Sequence, residues 1–172
     1  MKTLYLIGGT MGVGKTTTSQ QLKKALEHSV FLDGDWCWDA HPFVVTPETK
    51  QMVEDNIVYL LNNFIHCSAY QHIIFCWVMH QQKIIDDLLS RLDLHDVRLV
   101  NISLICRQEA LVERLSHDVA LGKRSEDVIF RSVERLPLYH DLQTIKIDVS
   151  DITSQEAAMA IISYVPEKSE KS

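Results

Sequence analysis

The sequence has 172 residues, of which 46% are hydrophobic, with only six Gly and four Pro. This composition predicts one globular domain and excludes a disordered or low-complexity chain. The formal net charge of −6 and the lack of a dense Lys/Arg cluster argue against a nucleic-acid platform and against adhesion to an anionic membrane.

The four cysteines, Cys37, Cys67, Cys76 and Cys106, form no C-x-x-C pair, and three of them stand within apolar runs. We therefore expect reduced, buried thiols. No stretch approaches the ~20 apolar residues of a membrane span. The first apolar run is too short for a signal peptide and ends in glycines, so we expect a cytoplasmic protein.

In chain order, short apolar runs alternate with segments of helical periodicity. The runs predict five strands, at 4–7, 30–32, 73–78, 97–105 and 144–149. Helices are predicted at 15–27, 46–67, 82–92, 109–117 and from 126 to about 139, and a capping box at 153–156 opens the last one. This alternation is typical of a parallel sheet covered on both faces. We predict one three-layer α/β/α domain over 1–165 with a five-stranded parallel sheet, and a polar tail at 166–172.

A glycine-rich loop follows the first predicted strand. Residues 9–16 match G-x-x-x-x-G-K-[ST] and stand between a strand and a helix. In such a loop, backbone amides and the helix dipole face phosphate, while the lysine and the hydroxyl serve the terminal phosphates and Mg²⁺. The loop predicts binding of ATP or another nucleoside triphosphate with Mg²⁺, the alternative being an ordinary glycine turn. The predicted nucleotide ligands are Gly9, Met11, Gly12, Val13, Gly14, Lys15, Thr16 and Thr17, with Thr16 also on the metal.

Two acidic residues follow the second predicted strand. Asp33 and Asp35 stand in the segment Leu-Asp-Gly-Asp at 32–35. Alternate residues at a strand end share a direction, so both carboxylates can face the γ-phosphate; the alternative is a pair of turn-forming acids. With the glycine loop, this segment resembles the small P-loop kinases, in particular the shikimate kinase and gluconate kinase branch, over about 3–163. We assign Asp33 to the magnesium shell and Asp35 to orienting the acceptor hydroxyl and accepting its proton.

The third predicted strand ends without an acid, at Cys76 and Trp77. The Walker B aspartate of mechanical ATPases and standard GTPases is therefore missing from its expected place. The N-K-x-D segment of a GTPase switch is also missing. Both observations favour the kinase branch of P-loop proteins.

The resemblance also implies roles for arginines in the second half of the chain. Arg114 matches an arginine that packs on the adenine ring, and Val149 lies in a segment that borders the base. Arg124, in a short lid, would contact the transferring phosphoryl group, where negative charge spreads over the oxygens. Arg135 resembles the arginine that holds the acceptor's carboxylate in shikimate kinases, and Arg131 is a further candidate. The alternative for each arginine is a solvated surface charge.

The acceptor side of the site is less determined. Trp36, Trp38 and His80 are predicted to line it, because aromatic faces can stack on a ring; the tryptophans could instead close the core. The chain has no arginine between Asp35 and Arg91, where shikimate kinases and nucleoside monophosphate kinases carry one.

We therefore expect an ATP-dependent kinase that phosphorylates a hydroxyl of a small metabolite, with a lid near 118–127. Nucleoside or nucleotide kinases and antibiotic phosphotransferases are alternatives, and a nucleotide-binding regulatory module is the non-enzymatic one. The expected partners are ATP, Mg²⁺ and the acceptor, without nucleic acid or membrane, in a monomer or homodimer.

Overall fold

The computed structural model describes residues 1–165, and the predicted polar tail at 166–172 lies outside them. The strands are β1 (Lys2–Gly8), β2 (Ser29–Asp33), β3 (His72–Trp77), β4 (Val97–Ile105) and β5 (Ile145–Asp148). The helices are α1 (Lys15–Ala25), α2 (Pro47–His66), α3 (Gln82–Ser90), α4 (Gln108–Ala120), α5 (Asp127–Arg135) and α6 (Ser154–Ser163). Short 3-10 helices span Gly34–Trp38 and Leu136–Asp141. None of the helices in this part of the chain combines the length and apolarity needed to cross a membrane.

The strands form one sheet in the order β2-β3-β1-β4-β5, and every neighbouring pair is parallel. The predicted five-stranded parallel sheet is confirmed. Gly8, at the end of β1, lies between Trp77 of β3 and Ser103 of β4. Since parallel strands end at the same edge, the loops after β1, β2 and β3 meet there, which is where ligands bind in such sheets.

Alternating side chains of β1 bury into two different cores. Tyr5 and Ile7 belong to the cluster that packs under α1, α4, α5 and α6. Leu4 and Leu6 belong to the cluster under α2 and α3. Because successive strand residues point to opposite faces, a strand that is apolar at every position requires cover on both sides. The three-layer arrangement predicted from the sequence follows from this pattern.

Two helices begin at the caps that the sequence indicates. The Thr46 hydroxyl accepts from the amide of Thr49 at 3.1 Å at the start of α2. At the start of α6, the Thr153 hydroxyl accepts from the Glu156 amide at 3.2 Å, and the Glu156 carboxylate accepts from the Thr153 amide at 2.7 Å. Both arrangements satisfy amides that a helix terminus leaves without intrahelical partners.

The structure corrects the sequence predictions in two places. The helix expected to run to about 139 ends at Arg135, and a 3-10 helix continues from it with Pro137 in its first turn. Proline has no amide hydrogen for an α-helical bond, so the chain changes its geometry there. Asp35 lies in the first turn of the other 3-10 helix and not on β2, so strand alternation is not what brings it beside Asp33.

Candidate active site

The glycine-rich loop after β1 depends on backbone conformations that other residues rarely adopt. Gly12 has φ +82°, and a Cβ there would lie 2.4 Å from Cδ2 of Leu115 on α4. Gly14 has φ +105°, and its Cβ would meet nothing within 4 Å. Gly12 therefore lets the loop approach α4, while Gly14 faces open space beside the start of α1. A phosphate can approach the backbone closely at Gly14.

The amides around Gly14 are available to an anion. Within residues 1–165, the amides of Gly14, Lys15 and Thr16 have no hydrogen-bond acceptor. These amides stand at the positive end of the α1 dipole, and Thr16 and Thr17 are exposed beside them. Open amides, an adjacent lysine and a helix N-terminus fit the phosphates of a nucleoside triphosphate.

The side chain of Lys15 folds back onto the glycine-rich loop. Its Nζ donates to the Thr10 carbonyl at 3.0 Å. Burial lowers the pKa of Lys15, while the neighbouring Asp35 and Asp33 raise it and Arg124 lowers it further. Two carboxylates and two cations thus act on one another at the same edge of the sheet.

Asp33 connects the loop to the next segment of the chain. One of its carboxylate oxygens accepts from the Thr16 hydroxyl at 2.5 Å, and the other accepts from the Asp35 amide at 3.0 Å. Asp33 is buried. Hydroxyl and carboxylate oxygens are the donors that Mg²⁺ prefers, and this ion is usually held by one or two protein ligands together with phosphates. Thr16 and Asp33 therefore fit the predicted magnesium site. No group of three or more His, Cys, Asp or Glu within 1–165 is placed to hold a metal by itself.

Asp35 has a carboxyl group with an unusual environment. Partial desolvation and the nearby Asp33 raise its pKa, while Lys15, Arg124 and a hydrogen bond from Trp77 lower it. The indole of Trp77 is a donor only, so it favours the ionised form of Asp35. A carboxylate with a raised pKa beside two cations is suited to accept a proton.

Trp77 is a site residue that the sequence analysis did not identify. It is the last residue of β3, the strand that lacks the terminal acid of a Walker B segment. A Cβ on Gly34 would lie 2.5 Å from Cγ of Trp77, so the ring packs directly against the backbone between the two aspartates. The glycine between them was a usable signal, because a residue without a side chain often marks such a close approach.

The thiol of Cys76 occupies the end of β3 directly beside Asp33, with which it is in register. Burial, followed by the charge of Asp33, raises the pKa of Cys76 to about 12, against the effect of Lys15. Cys76 is therefore a neutral thiol where a Walker B carboxylate would stand. The carboxylate beside Thr16 comes from β2 instead.

A cleft of about 220 Å³ opens beside the loop. Arg114 crosses its wall: its guanidinium donates to the Val13 carbonyl at 3.3 Å, to the Val149 carbonyl at 2.6 Å and to the Ser150 carbonyl at 3.3 Å. The predicted residues Val13, Gly14, Arg114 and Val149 all line the cleft. Ile152 and Thr153, of the segment at 148–153 that is predicted to border the base, also line it, as do Thr18, Ser154 and Ala157, which sequence reasoning missed. The capping box at 153–156 was a usable signal for Ser154.

The other three arginines that the sequence analysis assigned to the site, Arg124, Arg131 and Arg135, have different surroundings. Arg124 is half-buried, pairs with Asp118 at 3.2 Å and acts electrostatically on Lys15 and Asp35. Arg131 forms an exposed i,i+4 pair with Asp127 at 2.9 Å. Such a pair is typical of a solvated helix surface.

Within residues 1–165, Arg135 has no hydrogen bond or ion pair to another side chain, but its charge acts on His80 and Tyr139. Burial lowers the pKa of His80, with a further contribution from Arg135. The Nδ1 atom of His80 and the hydroxyl of Tyr139 are buried without a hydrogen-bond partner in the described chain. Arg135 is thus near enough to both groups to act on them electrostatically.

The two predicted tryptophans of the acceptor side differ in exposure. Trp36 is exposed, with its ring edge against Phe31 at a centroid distance of 5.2 Å. Trp38 is half-buried, packs on the core beneath α2 and contacts Phe43 at 4.9 Å. Trp36 is therefore free to contact a ligand, whereas Trp38 also closes the core.

Comparison with solved structures identifies proteins of the same architecture. The tunicamycin resistance protein of Deinococcus radiodurans is 20% identical, with a TM-score of 0.70 over 95% of both chains. A gluconokinase from Sinorhizobium meliloti 1021 is 16% identical, with a TM-score of 0.67 over 93% of this chain and 91% of that one. Shikimate kinase from Acinetobacter baumannii, in complex with shikimate, is 20% identical, with a TM-score of 0.64 over 95% and 92%.

At these identities the similarity shows the fold, and it confirms the fold that the resemblance to small P-loop kinases implies. A comparison with curated protein sequences found no match. A family model described as an AAA domain matches residues 6–134, most of the chain, so the protein belongs to the AAA domain family of P-loop proteins.

Proposed function

We propose that this protein is an ATP-dependent kinase that transfers the γ-phosphoryl group to a hydroxyl of a small metabolite. The observation that carries the proposal is the Asp33 carboxylate, which accepts from the Thr16 hydroxyl and from the Asp35 amide. A phosphate-binding loop, a candidate magnesium ligand and a candidate proton acceptor are thereby joined at one edge of the sheet.

In the proposed reaction, the loop amides and Lys15 bind the phosphates of ATP. Thr16 and Asp33 would hold Mg²⁺, which would neutralise negative charge on the phosphates. The acceptor oxygen forms a bond to the γ-phosphorus as the bond to the bridging oxygen of ADP breaks. Asp35 takes the proton of the acceptor hydroxyl. Arg124, in the proposed lid at 118–127, stabilises charge on the transferring group.

The remaining predicted residues divide between the two substrates. Arg114 and Val149 belong to the cleft beside the loop, which supports a role in binding the nucleoside. Trp36, Trp38, His80 and Arg135 are proposed to contact the acceptor. We propose a cytoplasmic protein, monomeric or homodimeric.

The test is ATP turnover in the presence of individual acceptors: sugars, sugar acids, nucleosides, nucleotides and aminoglycosides, with gluconate, shikimate and tunicamycin added because structural neighbours carry those names. We expect at least one acceptor to raise turnover above the water background. If none does, while the protein still binds ATP, the nucleotide-binding regulatory module replaces the kinase.

Matched variants separate the two halves of the proposal. Lys15→Met should nearly abolish transfer, whereas Lys24→Met, on the exposed last turn of α1, should leave it unchanged. Asp35→Asn should reduce the rate by on the order of 10²-fold or more if Asp35 accepts the proton. Asp86→Asn, on the surface of α3, is the control. An unchanged Asp35→Asn rate would remove Asp35 from catalysis and leave the nucleotide site standing.

A further inference from the structure

Arg124 is paired with an acidic residue in the last turn of α4. The Nε atom of Arg124 donates to a carboxylate oxygen of Asp118 at 3.2 Å. The side chains of Arg124 and Asp118 are 34% and 28% exposed, the smallest fractions of any ion pair within residues 1–165. Because solvent screens a pair less as its exposure falls, this contact restrains its arginine more than the surface pairs do.

The backbone after α4 brings these two side chains together. The amide of Gly122 donates to the Val119 carbonyl at 2.9 Å, and the amide of Lys123 donates to the Asp118 carbonyl at 2.9 Å. Gly122 has φ +70°. The two bonds form a Schellman motif, in which a glycine turns the chain at the end of a helix. Asp118 therefore holds the turn with its carbonyl and the following Arg124 with its carboxylate.

The pairing uses only one of the three nitrogens of the guanidinium. Within residues 1–165, the two terminal nitrogens of Arg124 donate to no acceptor. Arg124 acts electrostatically on Lys15 and on Asp35, so its charge is within reach of the site proposed for the γ-phosphate. The guanidinium is planar with donors in fixed directions. A bond at Nε therefore restricts where the terminal nitrogens can donate and leaves both of them free.

We propose that Asp118 is a positioning residue for phosphoryl transfer: its carboxylate holds Arg124 at Nε and keeps the two terminal nitrogens available to oxygens of the γ-phosphoryl group. This inference rests on the proposed kinase function, in which Arg124 stabilises charge on that group. Without the carboxylate, the long side chain would be ordered by the phosphate alone, and this ordering costs conformational entropy at each binding event. Asp118 itself contacts neither substrate in this proposal.

The test compares a triphosphate with a diphosphate, because only the triphosphate carries the γ-phosphoryl group. Affinities for AMP-PNP, a non-hydrolysable ATP analogue, and for ADP are measured by titration calorimetry with Mg²⁺, and the readout is their ratio. Arg124→Ala should lower the preference for AMP-PNP by about tenfold or more, because it removes charge-assisted hydrogen bonds. Asp118→Ala should lower it by about threefold to tenfold, because the donors remain but are no longer ordered.

Two further variants separate positioning from a general effect on the fold. Added to Arg124→Ala, Asp118→Ala should lower the ratio no further, since its effect passes through the arginine. Asp118→Asn should keep most of the ratio, because its amide oxygen can still accept from Nε. Asp55→Ala is the matched control: it removes a carboxylate from Arg91, which is 36% exposed and thus similar to Arg124, and it should leave the ratio unchanged.

An unchanged ratio in Asp118→Ala would overturn the inference. A raised ratio would also overturn it, because Asp118 would then withhold Arg124 from the nucleotide. So would the same loss with and without Arg124, which would indicate a structural role for Asp118 at the end of α4. Since binding is measured without transfer, the two proposals fail separately. Turnover with an unchanged ratio overturns this inference alone, and the lowered ratio without turnover on any acceptor overturns the kinase alone.

Discussion

The contact between Gly34 and Trp77 predicts a specific loss of stability. In Gly34→Ala, the new methyl carbon would lie 2.5 Å from Cγ, 2.6 Å from Cδ1 and 3.0 Å from Cβ of Trp77. These atoms belong to the base of the side chain, so a change of rotamer at its far end does not relieve the overlap. Overpacking of this kind costs about 1–3 kcal/mol. For a chain of this length, a loss of about 2 kcal/mol lowers the melting temperature by about 4–8 °C.

The assay is thermal and urea unfolding of Gly34→Ala, Trp77→Ala and the double variant. Gly8→Ala is the control, because a Cβ on Gly8 would meet its neighbours at 3.6–3.7 Å, an ordinary contact distance. The overlap predicts a coupling free energy of about 2 kcal/mol, since Gly34→Ala should cost much less once Cγ and Cδ1 of Trp77, the two closest atoms, are removed. Equal melting temperatures for Gly34→Ala and Gly8→Ala, or the same loss in both backgrounds, would refute the reasoning.

Three further outcomes are expected. Arg114→Ala should lose about 1.5 kcal/mol or more of urea stability, because its guanidinium donates charge-assisted bonds to three carbonyls of the protein, and it should weaken ATP binding because these carbonyls frame the cleft. Arg107→Ala, which breaks an exposed pair, should change both little, and equal effects of the two variants would contradict this. Asp35→Asn should be more stable than the parent at pH 8, and the gain should fade on acidification. The raised pKa of Asp35 means that its carboxyl is protonated at higher pH in the folded protein than in the unfolded chain. A difference in unfolding free energy between variant and parent that stays constant with pH in calorimetry would contradict this prediction. Thr153→Ala should lose about 1 kcal/mol of urea stability through its α6 cap, and a loss no larger than that of Gln155→Ala would argue against the cap.

Periodicity was sufficient to predict the layers of this fold. Four of the five strands contain a short apolar run, the exception being the alternating β5. The caps at Thr46 and Thr153 mark helix starts within one residue. The helix expected to reach about 139 shows where local signals fall short. Pro137 signals a change of backbone geometry, but whether the chain turns or continues as a 3-10 helix depends on packing: Leu136 and Tyr139 are buried, and burial is a tertiary property.

The phosphate side of the site was readable because its chemistry lies within eight consecutive residues. Thr16 and Asp33 are 17 residues apart, and only strand order brings them within 2.5 Å. The position of Trp77 beside Asp35 could not be predicted, because it requires both the β2–β3 register and the absence of a side chain at Gly34. The proposed acceptor residues are spread over segments around 35, 80 and 135, and a sequence does not show which of such distant segments meet in the fold.

The two hydrogen bonds that Asp33 accepts limit which insertions and deletions the chain can tolerate near it. Its two oxygens hold the hydroxyl of Thr16 and the amide of Asp35, so an insertion or deletion between β2 and Asp35 disturbs the phosphate loop and the acceptor segment together. The stretch at 39–45, between the 3-10 helix and the Thr46 cap of α2, has no described hydrogen bond to the phosphate loop. If the proposed kinase function holds, changes in the length and sequence of 39–45 should alter acceptor preference while the contact between Thr16 and Asp33 is kept.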